Sequence, residues 1–116
     1  MKYKRLVYDS DYAHQEPDAG YECAVQCPKC GEAFSSLHHE TVKVFNRDSE
    51  DELTGAYTEI RGTKVETRRS LPAGNPSSRR GGVVINFSCE QCGPNVGNLC
   101  IAQHKGATFT YWELEA

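Results

Sequence analysis

Two short segments of this 116-residue chain carry residues suited to metal chemistry: Cys27-Pro-Lys-Cys30-Gly31 and Cys89-Glu-Gln-Cys92-Gly93. Each sets two thiols three positions apart and follows them with a glycine. That spacing lets two sulfurs converge on one ion while the amides of a tight turn donate to them, and the glycine permits the reversal. Two such turns supply four sulfurs. Tetrahedral thiolate coordination suits Zn²⁺, and an S₄ site also accepts iron. The expectation is one structural zinc ion per chain, held by Cys27, Cys30, Cys89 and Cys92.

Other uses of the same thiols fit less well. Cys23, Cys27 and Cys30 form a C-x₃-C-x₂-C run that resembles the cluster motif of radical S-adenosylmethionine enzymes. The chain is too short for their barrel, and that reading leaves Cys89 and Cys92 unused. A redox C-x-x-C would sit in a βαβ context, for which the helical signal is too weak. Cys23 and Cys100 fall on expected strands, where an unpaired cysteine behaves as a small buried apolar residue; Cys23 could instead replace a knuckle ligand, or a local disulfide could form under oxidation. His38 and His39 follow the first pair by eight and nine residues, so either could hydrogen-bond a sulfur or substitute as a ligand. His104, beside Lys105, reads as a turn residue.

The paired C-x-x-C-G segments resemble the zinc-ribbon superfamily, in which two knuckles on β-hairpins close over a structural zinc. The resemblance covers the knuckles and their adjoining strands. It departs from the family pattern in the 58 residues between Cys30 and Cys89, against roughly 15 to 20 in the simple double-pair arrangement. Lengthening a flexible closure that much costs about 1 kcal/mol, whereas structural zinc binding supplies on the order of 10 kcal/mol. The insertion is therefore compatible with a shared site.

The elements that must position the cysteines are mostly strands. Val83 to Cys89 alternates Val83, Ile85 and Phe87 with Val84, Asn86 and Ser88, and leads into the second pair. Thr41 to Asn46 alternates in the same way, Arg47 to Gly55 reads as a turn, and Tyr57 to Ile60 as the returning strand. Thr63 to Thr67 is a further strand, and Ser70 to Ser78 is dense in turn formers. Leu99 to Gln103 and Thr108 to Leu114 flank a turn at Gly106, a closing hairpin. Ser35 to Thr41 could form a short turn of helix, and Lys4 to Tyr8 a strand within an N-terminal arm or edge strand, residues 1–22. The expected fold is mostly β: a single domain of residues 1–116 with zinc-ribbon-like antiparallel hairpins, a long insertion between the knuckles and little helix.

The core is thin. Ile, Val, Leu and Phe make up about 18% of the chain, below the roughly 20% at which burial readily offsets chain entropy. The net charge of −3 is too low for the usual alternative, disorder. A metal staple fits that composition. Met1 to Leu6 is followed by Tyr8, Asp9 and Asp11, with no apolar signal region. The expected setting is therefore cytoplasmic, with reduced thiols.

Charge is uneven. Residues 1–60 hold six Lys or Arg against twelve Asp or Glu, whereas 61–80 hold Arg61, Lys64, Arg68, Arg69, Arg79 and Arg80 against Glu66 alone. The stretch 61–82 reads as a basic surface loop whose six cations could neutralise phosphates. No aromatic residue lies between them to stack on bases, and the sequence pI of about 5.8 is not that of a dedicated duplex binder.

Four thiolates leave no open metal position. H-E-x-x-H, G-x-S-x-G and phosphate-loop motifs are absent from the sequence, and His39-Glu40 fails the deaminase spacing. The expected role is non-catalytic. The ribbon resemblance implies binding to a macromolecule, nucleic acid or a component of its machinery; the longest apolar stretches, such as Val83 to Ile85, are far too short to span a membrane, and no small-molecule substrate is expected. The alternative is a protein adaptor or inhibitor that presents Phe109, Tyr111 and Trp112 from the C-terminal hairpin. Gly74-Asn-Pro-Ser-Ser-Arg-Arg80 and Gln103-His-Lys-Gly106 are also similar to small uncharacterised proteins of bacterial genomes and mobile elements, which implies a phage or accessory-gene setting and no particular reaction.

Overall fold

The computed structural model describes residues 2–5, 8–9, 24–31, 36–47 and 54–114. Its strands are β1 (Lys2–Arg5), β2 (Tyr8–Asp9), β3 (Ala24–Val25), β4 (Leu37–Arg47), β5 (Thr54–Arg61), β6 (Lys64–Ser70), β7 (Gly82–Cys89), β8 (Gly93–His104) and β9 (Ala107–Leu114). Seven of them form one antiparallel sheet in the order β1-β9-β8-β7-β4-β5-β6, while β2 and β3 pair separately. No helix occurs among the described residues. The mostly β, hairpin-built fold is as the alternation requires.

Pairing between strands outweighs local pattern in several segments. The helical turn considered over Ser35 to Thr41 is replaced from Leu37 onward by strand, because Leu37, His38 and His39 pair with Cys89, Ser88 and Phe87 across a bulge at Glu40. The basic stretch 61–82 is not one loop: Arg61 ends β5, Lys64, Arg68 and Arg69 lie on β6, and only the turn at 62–63 and residues 71–81 run outside a strand. The arm expected over residues 1–22 contributes β1, an edge strand on β9; residues 10–22 lie outside the described set. At the closing hairpin, Lys105 and Gly106 both take positive φ, 49° and 82°, which matches the twist of a two-residue turn.

Register assigns the side chains to two faces. One face carries the aliphatic row Val65, Ile60, Val42, Ile85 and Leu99, ending on Trp112. Phe87 meets Trp112 edge-on at 5.5 Å between ring centroids, on the same face. The other face carries the row Arg68, Tyr57, Phe45, Gly82, Ala102 and Phe109. Phe45 and Tyr57 pack at 5.0 Å, and the Arg68 guanidinium lies over the Tyr57 ring at 5.1 Å.

The chain leaves β6 at the outer edge and must return past β5 and β4 to reach β7. Residues 71–81 make this crossing on the second face. Gly74 approaches the Phe45 ring, and Asn75 and Pro76 lie directly over Gly82. The crossover is fastened to itself and to the sheet. Asn75 Oδ1 accepts from the Ser77 amide at 3.0 Å, an Asx turn, and Asn75 Nδ2 donates to the Arg80 carbonyl at 2.9 Å. Ser77, 3% exposed, donates to the Gln103 carbonyl at 2.8 Å while its Oγ accepts from the Arg80 amide. The buried side chains thus fall into a group under this crossover, with Phe45, Tyr57 and Ala102, and a group at the opposite end of the sheet, with Cys27, Cys89 and Val96.

Candidate metal centre

The second cysteine pair forms the tip of the β7–β8 hairpin. Cys89 ends β7 and pairs in register with Gly93, the first residue of β8, so Glu90, Gln91 and Cys92 make the turn. Gly93 takes φ +95°. The first pair lies in a turn after β3, where the Gly31 amide donates to the Cys27 carbonyl at 2.9 Å and Gly31 takes φ +76°. Both glycines occupy the left-handed region that the reversal was expected to need. The backbone amides of Cys30 and Lys29 donate to the Cys27 sulfur. Unlike the second knuckle, the first is not the tip of a hairpin in the large sheet, since β3 pairs with β2.

The two turns meet because β4 is the direct neighbour of β7. Leu37 pairs with Cys89, and the Glu90 amide donates to the Ser36 carbonyl at 3.3 Å. Pro28 seats the first turn on the sheet: a Cβ at Gly97 would lie 3.4 Å from Pro28 Cγ and 2.8 Å from a Leu114 methyl. Gly97 therefore provides the space into which the knuckle and the C-terminal strand settle. Cys27, Cys89 and Val96 are buried together, with Leu37 and Phe87 packed against them.

The sulfurs of Cys27, Cys30, Cys89 and Cys92 all lie within 4.8 Å of one another, and Cys27 Sγ is 4.0 Å from Cys92 Sγ. A tetrahedral ion with metal–sulfur bonds of about 2.3 Å spaces its sulfurs by roughly 3.8 Å, whereas a disulfide needs about 2.05 Å. None of the four is joined in a disulfide, and their spacing fits one metal ion. Burial, followed by contacts with the other sulfurs, pushes the Cys92 thiol up to about 12, and burial likewise raises Cys27. Four thiols crowded this closely resist ionising beside one another. A bound dication reverses that preference and takes all four as thiolates.

The remaining candidates fall outside this group. His38 does not reach the sulfurs in a ligand set; its Nε2 lies 3.0 Å from Glu90 Oε1, tying β4 to the second turn. His39 is exposed on β4, and His104 pairs with Ala107 at the closing turn. Cys100 is 1% exposed, and burial followed by the nearby Glu113 carboxylate pushes its thiol up to about 11, so it packs as a small neutral residue. Cys23 lies outside the described residues.

The six cations are divided between two regions. Arg61 pairs with Glu59 at 3.0 Å and sits opposite Lys64, Arg68 lies over Tyr57, and Arg69 alternates to the other face of β6. Arg79 and Arg80 belong to the crossover. Of the three hairpin aromatics expected to form a docking anchor, Trp112 is buried at 1% exposure on the aliphatic face, and Phe109 is exposed on the other. Sequence reasoning missed the His38–Glu90 link and the Ser77 anchor. The Asn75-Pro-Ser77 turn chemistry marked a loop, but only the strand order shows that the loop must cross the sheet. No helix among the described residues is long and apolar enough to cross a membrane. No family model, curated protein or solved structure matches this chain.

Proposed function

We propose that this chain is a non-catalytic module, stapled by one zinc ion on Cys27, Cys30, Cys89 and Cys92, that binds nucleic acid or a component of its machinery in the cytoplasm. The observation that carries the metal reading is the convergence of four sulfurs within 4.8 Å from turns 58 residues apart. All-thiolate donors favour zinc, and four of them fill a tetrahedral shell, which suits a structural ion over a catalytic one. The support for nucleic acid is charge. Between Thr67 and Trp112 the chain carries Arg68, Arg69, Arg79, Arg80 and Lys105 against Glu90 alone, and Glu90 sits at the metal end.

Native mass spectrometry with and without chelator tests the first half: one zinc per chain is expected, and a folded, metal-free protein defeats it. Retention on immobilised DNA or RNA tests the second. Binding should weaken steeply with salt and fall when Arg68, Arg69, Arg79 and Arg80 become Ala. Absence of salt-dependent retention on either polymer defeats the nucleic-acid reading. Capture of a protein through the Phe109 hairpin, insensitive to salt, would put an adaptor in its place.

A further inference from the structure

The arginine-bearing crossover and the aromatic C-terminal hairpin are remote in sequence, yet they form the two walls of one cleft. Pro76, Ser77 and Ser78 stand on one side, Phe109 and Tyr111 on the other, and Ala102 lies between them. The volume is about 410 Å³, within the roughly 300–1,000 Å³ typical of sites for small ring systems. Register places Ala102 directly beside Phe109 on this face, so a small buried side chain leaves space next to a large exposed one. Phe109 is 52% exposed.

The rim is fixed. Ser77 bonds to the Gln103 carbonyl, which ties the crossover to β8, and its Oγ accepts from the Arg80 amide. The Asn75 side chain holds the Arg80 carbonyl at 2.9 Å. Arg79 and Arg80 are exposed and follow the lining residue Ser78 directly, and Lys105 is exposed two residues beyond Gln103. Neither the crossover, residues 71–81, nor the hairpin segment from Gln103 to Tyr111 contains Asp or Glu. The cleft thus has an aromatic wall, and exposed cations follow its lining residues in sequence on both sides, while the Glu113 carboxylate lies two residues beyond Tyr111 on the same face.

An aromatic wall offers its π face to any base, and neighbouring cations track the phosphates that join the bases. We infer that this cleft takes an unstacked base of a single-stranded nucleic acid against Phe109 and Tyr111, with Arg79, Arg80 and Lys105 on the flanking phosphates. The inference rests on the nucleic-acid reading above and assigns it a place and a strand form. A duplex keeps its bases stacked and paired, and cannot fill the cleft without extruding one.

The test is fluorescence anisotropy of the zinc-loaded full chain with labelled oligothymidylate, an abasic strand of equal length, the matching duplex and thymidine monophosphate as competitor. The single strand should bind on the order of tenfold more tightly than the abasic strand, the size expected for stacking one base. Phe109→Ala should lose a similar factor on oligothymidylate and nothing on the abasic strand. Phe109→Leu, which keeps an apolar side chain but has no ring, should match it. Arg79→Ala with Arg80→Ala should weaken both strands alike and flatten the salt dependence.

Duplex binding as tight as single-strand binding, unchanged affinity in both Phe109 variants, or competition by the mononucleotide at strand-like concentrations would overturn the cleft assignment while leaving nucleic-acid binding in place. Failure of strand and duplex alike to bind would defeat both readings.

Discussion

Gly82 and Pro76 are in such close apposition that a Cβ on Gly82 would lie 2.6 Å from Pro76 Cγ, with Asn75 Oδ1 at 2.7 Å. The crossover rests on bare backbone at the centre of its row. Gly82→Ala must lift Pro76 off the sheet, and overpacking of this kind costs about 1 to 3 kcal/mol. Urea unfolding should report that loss. A variant as stable as the wild type would mean that residues 71–81 do not lie across β7.

Ser77→Ala tests the same crossover through its polar anchor. The variant leaves the Gln103 carbonyl and the Arg80 amide without their Oγ partner at a site 3% exposed, and unpaired buried groups cost about 1 to 3 kcal/mol. Amide hydrogen exchange should speed up at Arg80, with zinc content unchanged. Exchange that stays slow at Arg80 would refute the anchor.

Removal of the metal should be far more disruptive. Structural zinc contributes on the order of 10 kcal/mol in small domains, more than a chain with this few aliphatics can replace. Chelator, or Cys89→Ser, should abolish sharp strand signals in the amide spectrum. Because the ligands bind as thiolates, acid should release the metal as well. Zinc retained in Cys89→Ser at wild-type affinity would remove that residue from the site.

Alkaline pH should destabilise the fold through two groups. Burial followed by the hydrogen bond to Glu59 raises Tyr57 to about 12, and burial raises Cys100 to about 11. A raised folded-state pKa contributes stability that is full below the unfolded value and lost as pH climbs through the folded one. The windows run from about 10 to 12 for tyrosine and from about 9 to 11 for cysteine. Tyr57→Phe should flatten the upper part of the decline in denaturation midpoints. A wild-type midpoint that stays constant from neutral pH to about 12 would contradict both assignments.

Much of the metal site was legible in the sequence because C-x-x-C-G is a local device: Gly31 and Gly93 adopt their positive φ values within the turns that contain them. Hairpins were legible for the same reason, since Val83 to Cys89 and Thr108 to Leu114 carry their alternation in adjacent residues. What local pattern could not convey was pairing between distant strands. His38 and His39 looked like ligand candidates or a helical turn until β7 took up their backbone, and the stretch 61–82 read as a basic surface loop although Thr63 to Thr67 already carried a strand signal, which β6 extends to Ser70 by pairing with β5. Phe109 and Ser78 share a cleft only because strand order puts β8 and β9 beside the crossover.

The adjacency of β4 and β7 divides the chain into two meanders, β4–β6 and β7–β9, each closed by hairpins, with one long-range seam between them. The cysteine turns close one end of that seam, and the crossover closes the other. Hairpins form within microseconds, whereas a pairing such as Leu37 with Cys89 waits on closure of a long loop. We therefore expect each meander to form first and the seam to set the folding rate. Stopped-flow refolding should then show zinc accelerating the slow phase alone; acceleration of every phase would mean that the metal already organises the individual hairpins.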